Sequence, residues 1–447
     1  MSKSYFFVGI GGSGMMPLAQ IVAAQGDKVA GSDRSLDQGR LGAKFERLAA
    51  HGIGLHAQDG SGIVSGDQIV VASAAIEATV PDIVQATELG CARMTRAELL
   101  AELFNAAPVG IAVGGTSGKS TVTGMVGWVL DQSGRDPTIM NGAIMKNYGT
   151  GARVGGGQVF VSEVDESDGS IALYRPTVAV LNNVAVDHKS LEELRTLFGG
   201  FLANADSAVV NADNAEALAL VPQVGVVKFG LVSSADLRAT DLVERPDGVD
   251  FTVGDTRVSL AVPGRHNVSN ALAAIGAAVS VGIPLAKAAA ALSTFTGLKR
   301  RMDVIGTVSD ITVIDDFGHN PDKIAATLSA LHAFPGRLLI FFQPHGYGPL
   351  RQMGRELAYA FRENLAESDR LIVSDPAYYG GTVDRSIGSE SLVEAIGGHA
   401  EHISARDACG ERLIHFARAH DRIVVMGARD DTLSDFAQGL LDRLATA

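Results

Sequence analysis

The chain has 447 residues, 46% of them hydrophobic and 19% charged, and carries a net charge of −13. That length exceeds one ordinary core, so two or three globular domains are expected, and the acidic balance argues against a nucleic acid polymer as partner. Two cysteines, Cys91 and Cys409, are too few for a disulfide framework or a cysteine-based zinc site, and no apolar run is long enough to span a bilayer.

In chain order, the first predicted strand, Tyr5–Ile10, runs into Gly9-Ile10-Gly11-Gly12-Ser13-Gly14 and a helix over Met15–Gln25. The glycine spacing is that of a dinucleotide fingerprint. Asp33, about twenty residues on, stands where such a fold places its ribose acid. Alone, this turn suggests a nicotinamide-dependent oxidoreductase, but the same geometry accepts any diphosphate, including that of a UDP-sugar. Further strands are predicted at Lys28–Ala30 and Gln68–Ala72, and Asn105-Ala106-Ala107-Pro108 marks a domain break.

The strand Val109–Val113 then opens a second glycine-rich turn, Gly114-Gly115-Thr116-Ser117-Gly118-Lys119-Ser120-Thr121, before a helix over Thr121–Asp131. Free backbone N–H groups and the helix dipole make this junction an anion cradle. Lys119 adds a mobile positive charge and Ser120 a hydroxyl for magnesium, which is equipment for ATP. The full P-loop pattern asks for Gly where Val113 stands; the chain has the shorter form Gly-Thr-x-Gly-Lys-Ser.

Next come the predicted strand Gln158–Glu163 and an acidic box, Glu163-Val164-Asp165-Glu166-Ser167-Asp168. The strand Val178–Asn182 ends in Asn183-Val184-Ala185-Val186-Asp187-His188. Carboxylates this dense need a cation or solvent. In a doubly wound sheet the strand ends converge, bringing Lys119, Ser120, Glu163 and His188 to one crevice suited to magnesium or manganese. Strand Ala208–Asn211, a small antiparallel excursion between Phe229 and Val262, and two buried helices over Asn270–Ala291 complete this region. Past Thr294–Gly297 the strands Ile311–Ile314, Arg337–Phe342, Arg370–Val373 and Arg422–Met426 repeat the α/β pattern, implying mostly parallel sheets.

Taken together, Gly114–Thr121, Glu163–Asp168, Asn183 with Asp187-His188, Pro263–Ala274, Gly297–Arg301 and Asp315–Pro321 resemble the Mur ligases, the ATP-dependent amino-acid ligases of peptidoglycan synthesis. The resemblance spans almost the whole chain. It is greatest to the alanine-adding branch, through the opening glycine turn with Gly31-Ser32-Asp33 and through Phe342-Gln343-Pro344-His345.

It implies three domains: a Rossmann-like one for the UDP-sugar at 1–107, a central P-loop ATPase at 108–296, and a Rossmann-like one at 297–447. Carried over by position, Gly115, Thr116, Ser117, Gly118, Lys119, Ser120 and Thr121 hold the phosphates. Ser120, Glu163 and His188 serve magnesium, and His266, Asn267 and Asn270 lie near the adenine. Arg301 and Asp316 complete the nucleotide site, and His319 aids deprotonation of the amine. Gly9, Gly11, Gly12, Ser13, Gly14 and Asp33 receive the UDP moiety of a UDP-N-acetylmuramate-type substrate, and His345 and Arg351 face the substrates. The implied reaction joins an amino acid, L-alanine first, through an acyl phosphate, in a cytoplasmic monomer or homodimer without membrane insertion.

The chain departs from the alanine-adding branch on the amino-acid side. Gly318-His319-Asn320-Pro321 stands for Ala-His-His-Pro, and Gly346 and Gly348 stand where that branch has arginines. Arginine is favoured for bidentate carboxylate recognition, and glycine cannot replace it. A paralogue adding another amino acid or a peptide, a nicotinamide-dependent oxidoreductase and a non-catalytic nucleotide-binding regulator are therefore the rival readings.

Overall fold

Short runs of β-branched and aliphatic residues become the strands of three sheets. The computed structural model describes residues 2–446 except 41, 74–75, 186–188, 223–224, 379–383, 429 and 431. The first sheet holds β1 (Ser4–Val8), β2 (Lys28–Ser32), β3 (Gly54–His56), β4 (Gln68–Ala72) and β5 (Arg93–Thr95) in the order β3-β2-β1-β4-β5. All its pairings are parallel. The order reverses beside β1, so the turn leaving β1 sits at a topological switch point, where ligands bind in such sheets.

The central sheet is larger: β6 (Val109–Gly114), β7 (Thr138–Met145), β8 (Thr150–Arg153), β9 (Val159–Glu163), β10 (Val178–Leu181), β11 (Ser207–Asn211), β12 (Val226–Gly230), β13 (Leu237–Arg245), β14 (Gly248–Val253) and β15 (Thr256–Leu260). Their order is β15-β14-β13-β12-β11-β10-β6-β9-β7-β8. Strand β6 lies between β10 and β9, parallel to both. The register pairs Val113 with Glu163 and Gly114 with Leu181, so the glycine turn, the acidic box and Asn182-Asn183 leave the same edge. Ile111, Ala112, Val113 and all of Val178–Leu181 are fully buried. That is why these strands read as unbroken apolar runs.

The third sheet orders β16 (Asp303–Val308), β17 (Ile311–Asp316), β18 (Leu338–Gln343), β19 (Arg370–Val373), β20 (Ala400–His402) and β21 (Arg422–Gly427) as β16-β17-β21-β18-β19-β20. The sheets are mostly parallel, as expected, with antiparallel pairs at two edges. β7 pairs with β8, and β16 with β17, in antiparallel fashion. Each of these pairs is joined by a short turn, too short for the crossover that a parallel pair requires.

Two compact units result. One comprises 1–243, 250–261 and 266–296 and so contains the first sheet with most of the central one; the other comprises 297–447 with the short pieces 244–249 and 262–265. Within the first unit, Phe104 joins the sheets. It ends the helix Arg96–Asn105, and its ring stands edge-on to Phe160 at 5.7 Å and Tyr174 at 5.1 Å. Gly110 makes room for it: a Cβ there would lie 2.7 Å from the Phe104 ring. The expected helix pair is present as His266–Ser280 and Leu285–Leu292, broken by Gly282 at φ +82° and Pro284. Among the described residues no helix is long and apolar enough to cross a membrane.

Candidate active site

Gly114 ends β6, and the chain turns through Gly115 (φ +137°) and Gly118 (φ +80°) into the helix Lys119–Gln132. Both glycines hold a left-handed conformation that a side chain would strain. A Cβ on Gly118 would also run into the amide of Asn182 and sit 2.7 Å from Asn270 Oδ1. No side chain caps this helix, so its first N–H groups face the turn as an anion site.

The turn is held from behind by asparagines. Asn183 Oδ1 accepts from Ser117 N and Thr116 Oγ1, each at 2.8 Å, and Asn183 Nδ2 donates to Ser117 O at 3.0 Å. Asn182 Nδ2 donates to Ser117 O and to Asn270 Oδ1, each at 3.1 Å, and Asn270 Nδ2 donates to Asn267 Oδ1 at 2.9 Å. Asn211 Nδ2 donates to Asn182 O at 2.8 Å.

In front of the turn, Lys119 Nζ donates to Gly115 O at 2.8 Å and to both Glu166 oxygens at 2.8 and 3.1 Å. Ser120 Oγ donates to Glu163 Oε2 at 2.7 Å, and Asn141 Nδ2 donates to Ser120 O at 2.9 Å. The expected convergence of Lys119, Ser120 and Glu163 is thus present. His188 lies outside the described residues; Ala185, three residues earlier, donates its N–H to Thr116 Oγ1 at 3.2 Å. Thr121 follows on the same first helical turn.

Lys119 and Glu163 line a cavity of about 430 Å³ whose opposite wall is the first glycine turn, with Gly9, Gly12, Ser13 and Gly14. Asp165, Arg96, Ser170 and Tyr174 complete it. Burial pushes the Asp165 carboxyl up, yet hydrogen bonds from Ser167 and the positive field of Lys119 and Arg96 hold it below the usual range. Burial also pushes the Tyr174 hydroxyl up, so it stays protonated. One chamber therefore opens on both anion cradles. Asp33 Oδ2 accepts from Gly11 N at 2.9 Å and its Oδ1 from Ser35 N at 2.7 Å, bracing the turn against the next helix.

In the second unit, Asp316 is 6% exposed and accepts from Met302 N, Gly318 N and Thr327 Oγ1 at 3.0, 2.8 and 3.2 Å. The Arg301 guanidinium lies 4.5 Å over the Phe317 ring. His319 Nδ1 bonds to Phe317 O at 2.8 Å, and its ring stands 5.0 Å from that of His345. A carbonyl only accepts, so Nδ1 carries the proton and Nε2 is left with its lone pair. Burial, with Lys323 and His345 nearby, pushes His319 down to about 3. Arg351 is paired with Asp384 at 2.9 Å on an exposed face.

Three family descriptions match in sequence: the Mur ligase family catalytic domain over residues 4–107, the Mur ligase middle domain over 113–278, and the Mur ligase glutamate ligase domain over 300–429. A UDP-N-acetylmuramate–L-alanine ligase of Geotalea uraniireducens is 36% identical, covering 94% of this chain and 94% of that protein. One of Acidithiobacillus ferrooxidans is 38% identical over 88% of this chain and 87% of its own. The crystal structure of the corresponding ligase from Thermotoga maritima superposes with a TM-score of 0.80 at 25% identity, covering 99% of each chain.

The chain belongs to the Mur ligase family. As a Mur ligase it is an ATP-dependent enzyme, which displaces the oxidoreductase reading of the first glycine turn. Asn267 and Asn270 are 3% and 4% exposed and stand behind the phosphate turn. Asp316 spends its carboxylate on the turn that follows β17. His266, by contrast, is exposed on the first turn of its helix. Sequence reasoning missed Glu166 as the partner of Lys119, Asn141 as the support of Ser120, and Arg96 in the cavity wall. Only Arg96 had a local signal, the capping box Thr95-x-x-Glu98 that starts its helix right after a strand.

Proposed function

We propose that this Mur ligase joins an amino acid, L-alanine first, to UDP-N-acetylmuramate, with ATP and magnesium, by way of an acyl phosphate. The observation that carries the reading is the single cavity shared by the diphosphate-type turn at Gly9–Gly14 and the triphosphate-type turn at Lys119. The names of its relatives support the choice of substrates. The same reading divides the chain at 107 and 296 and places it in the cytoplasm, where ATP and UDP-sugars occur.

Ser120 and Glu163 fit magnesium. Both offer oxygen, the donor that a hard cation takes, and Gly142 leaves open the space into which the Glu163 carboxylate reaches. Bound there, magnesium would neutralise phosphate oxygens and so ease attack at phosphorus.

The turn's N–H groups and helix dipole hold the triphosphate, and Lys119 exchanges Glu166 for a terminal phosphate oxygen. A carboxylate oxygen of the muramoyl substrate attacks the γ-phosphorus. The bond to the β-phosphate oxygen breaks, and ADP leaves. The amino acid's nitrogen, as the free amine, then attacks the acyl carbon; the carbon–oxygen bond to phosphate breaks, and the nitrogen's extra proton passes to the departing phosphate. The protein contributes alignment and charge more than covalent chemistry, and it must keep water from the acyl phosphate.

Gly346 and Gly348 favour one second reading, a paralogue that adds a different amino acid or a peptide. Phosphate release from magnesium-ATP with UDP-N-acetylmuramate, across a panel of amino acids and short peptides, separates the two. L-Alanine should give the highest kcat/KM, and Lys119→Ala should abolish release. Turnover that survives Lys119→Ala sinks the mechanism, and preference for a peptide moves the enzyme to the second reading.

A further inference from the structure

Arg96 opens the helix Arg96–Asn105 immediately after β5, at the ligand-binding edge of the first sheet. Its backbone is fixed by a capping box: Thr95 Oγ1 accepts from Glu98 N at 3.1 Å, and Glu98 Oε2 accepts from Thr95 N at 2.7 Å. Its side chain runs along Gly14, where a Cβ would sit 3.1 Å from Arg96 Cδ and 3.4 Å from Nε and Nη1. From there it enters the wall of the cavity that also holds Lys119 and Glu163.

We propose that Arg96 grips the muramoyl carboxylate and turns one of its oxygens toward the γ-phosphate held beside Lys119. The inference rests on the ligase reading above and names a residue that reading leaves without a role. A guanidinium fork matches a carboxylate in two parallel hydrogen bonds, fixing orientation as well as position. Asp165, in the same wall, already lies in the positive field of both Arg96 and Lys119. A carboxylate entering the chamber beside Asp165 therefore meets one cation from each domain. The diphosphate has its own cradle in the N–H groups of the Gly9–Gly14 turn. Lys119 serves the nucleotide, so the sugar's carboxylate needs a separate cation.

The test uses the full chain, with Arg96→Ala and Arg96→Lys, and two ligands that share a diphosphate and differ in the carboxylate. UDP-N-acetylglucosamine carries no lactyl carboxylate, and its binding by calorimetry should be unchanged in both variants. For UDP-N-acetylmuramate, kcat/KM should fall about tenfold to a hundredfold in Arg96→Ala, the worth of a charge-assisted hydrogen bond. Lower kcat should share in that loss, and added guanidinium should restore part of it. Arg96→Lys, which keeps the charge but not the fork, should bind substrate and still turn over more slowly. Equal loss of UDP-N-acetylglucosamine binding would assign Arg96 to the diphosphate and overturn the inference. So would an unchanged kcat in Arg96→Lys, the variant to rely on if Arg96→Ala does not fold. Wild-type enzyme that releases no phosphate with any acceptor overturns the ligase reading itself, and this inference with it.

Discussion

The carboxylate of Glu163 reaches into space that Gly142 leaves by having no side chain; a Cβ there would collide with Glu163 Oε1. Gly142 is exposed and has a backbone that any residue can adopt, so alanine costs the fold little. The atom it displaces lies at the end of a flexible side chain, but the other oxygen of the same carboxylate accepts the proton of Ser120, and on the proposed reading this carboxylate serves the metal. Gly142→Ala should therefore lower kcat about tenfold or more, the scale of a weakened Lewis-acid site, and raise the magnesium concentration needed for half-maximal rate. Its thermal midpoint should scarcely move. A midpoint that drops in step with activity would mean the turn, not the carboxylate, was disturbed. Gly118 presents the opposite case. There φ is +80° and the obstructing atoms belong to buried asparagines, so a side chain is resisted by backbone and packing together.

Strand, glycine turn and helix were legible as elements because each carries its signal locally. Buried apolar runs define β1, β6 and β10, and glycines occur where φ is positive. The asparagine support behind the turn carries no such signal. Asn182, Asn211 and Asn270 are far apart in sequence and meet only because β10, β11 and the helix His266–Ser280 pack together. The antiparallel edges β7–β8 and β16–β17 escaped because short, half-exposed edge strands lack a clean alternation. The pairing of Lys119 with Glu166 escaped because nothing in an acidic run says which carboxylate turns inward. Asn182→Ala tests the support as a unit. It removes the donors to Ser117 O and Asn270 Oδ1 and leaves the latter short of a partner in a buried place. Stability of the first unit should drop by about 1–3 kcal/mol, the cost of an unmatched buried polar group. Urea titration followed by Trp128 fluorescence reads it, because Trp128 is the single tryptophan and lies on the helix after the turn. ATP affinity should fall as well. Lost stability with unchanged affinity would make the asparagines mere packing.

At the scale of the whole molecule, stability against acid is a contest between groups that burial and partners shift in opposite directions. Asp165 and Asp430 are held below the usual carboxylate range: burial pushes both up, but hydrogen bonds from Ser167, and from Thr432 and Gln343, outweigh it. Their contribution is present near neutrality and lost as pH falls through their lowered values. Burial raises Asp82 and Asp315, so their contribution runs the other way and fades as pH rises. His319 acts from its ordinary value downward. Its folded value, about 3, lies well below the ordinary 6.5. Between those two values the unfolded chain binds a proton that the folded chain refuses, so stability is lost as pH falls from 6.5 toward 3. One such proton is worth at most about 1.4 kcal/mol per pH unit. His319→Asn keeps a donor for Phe317 O and removes the titration. Urea unfolding followed by far-UV circular dichroism at pH 6.5, 5.5 and 4.5 should show the wild type losing stability faster than the variant, by up to that slope. Parallel losses in the two proteins would mean that the folded chain lets His319 titrate near its ordinary value, and that the imidazole is open to water.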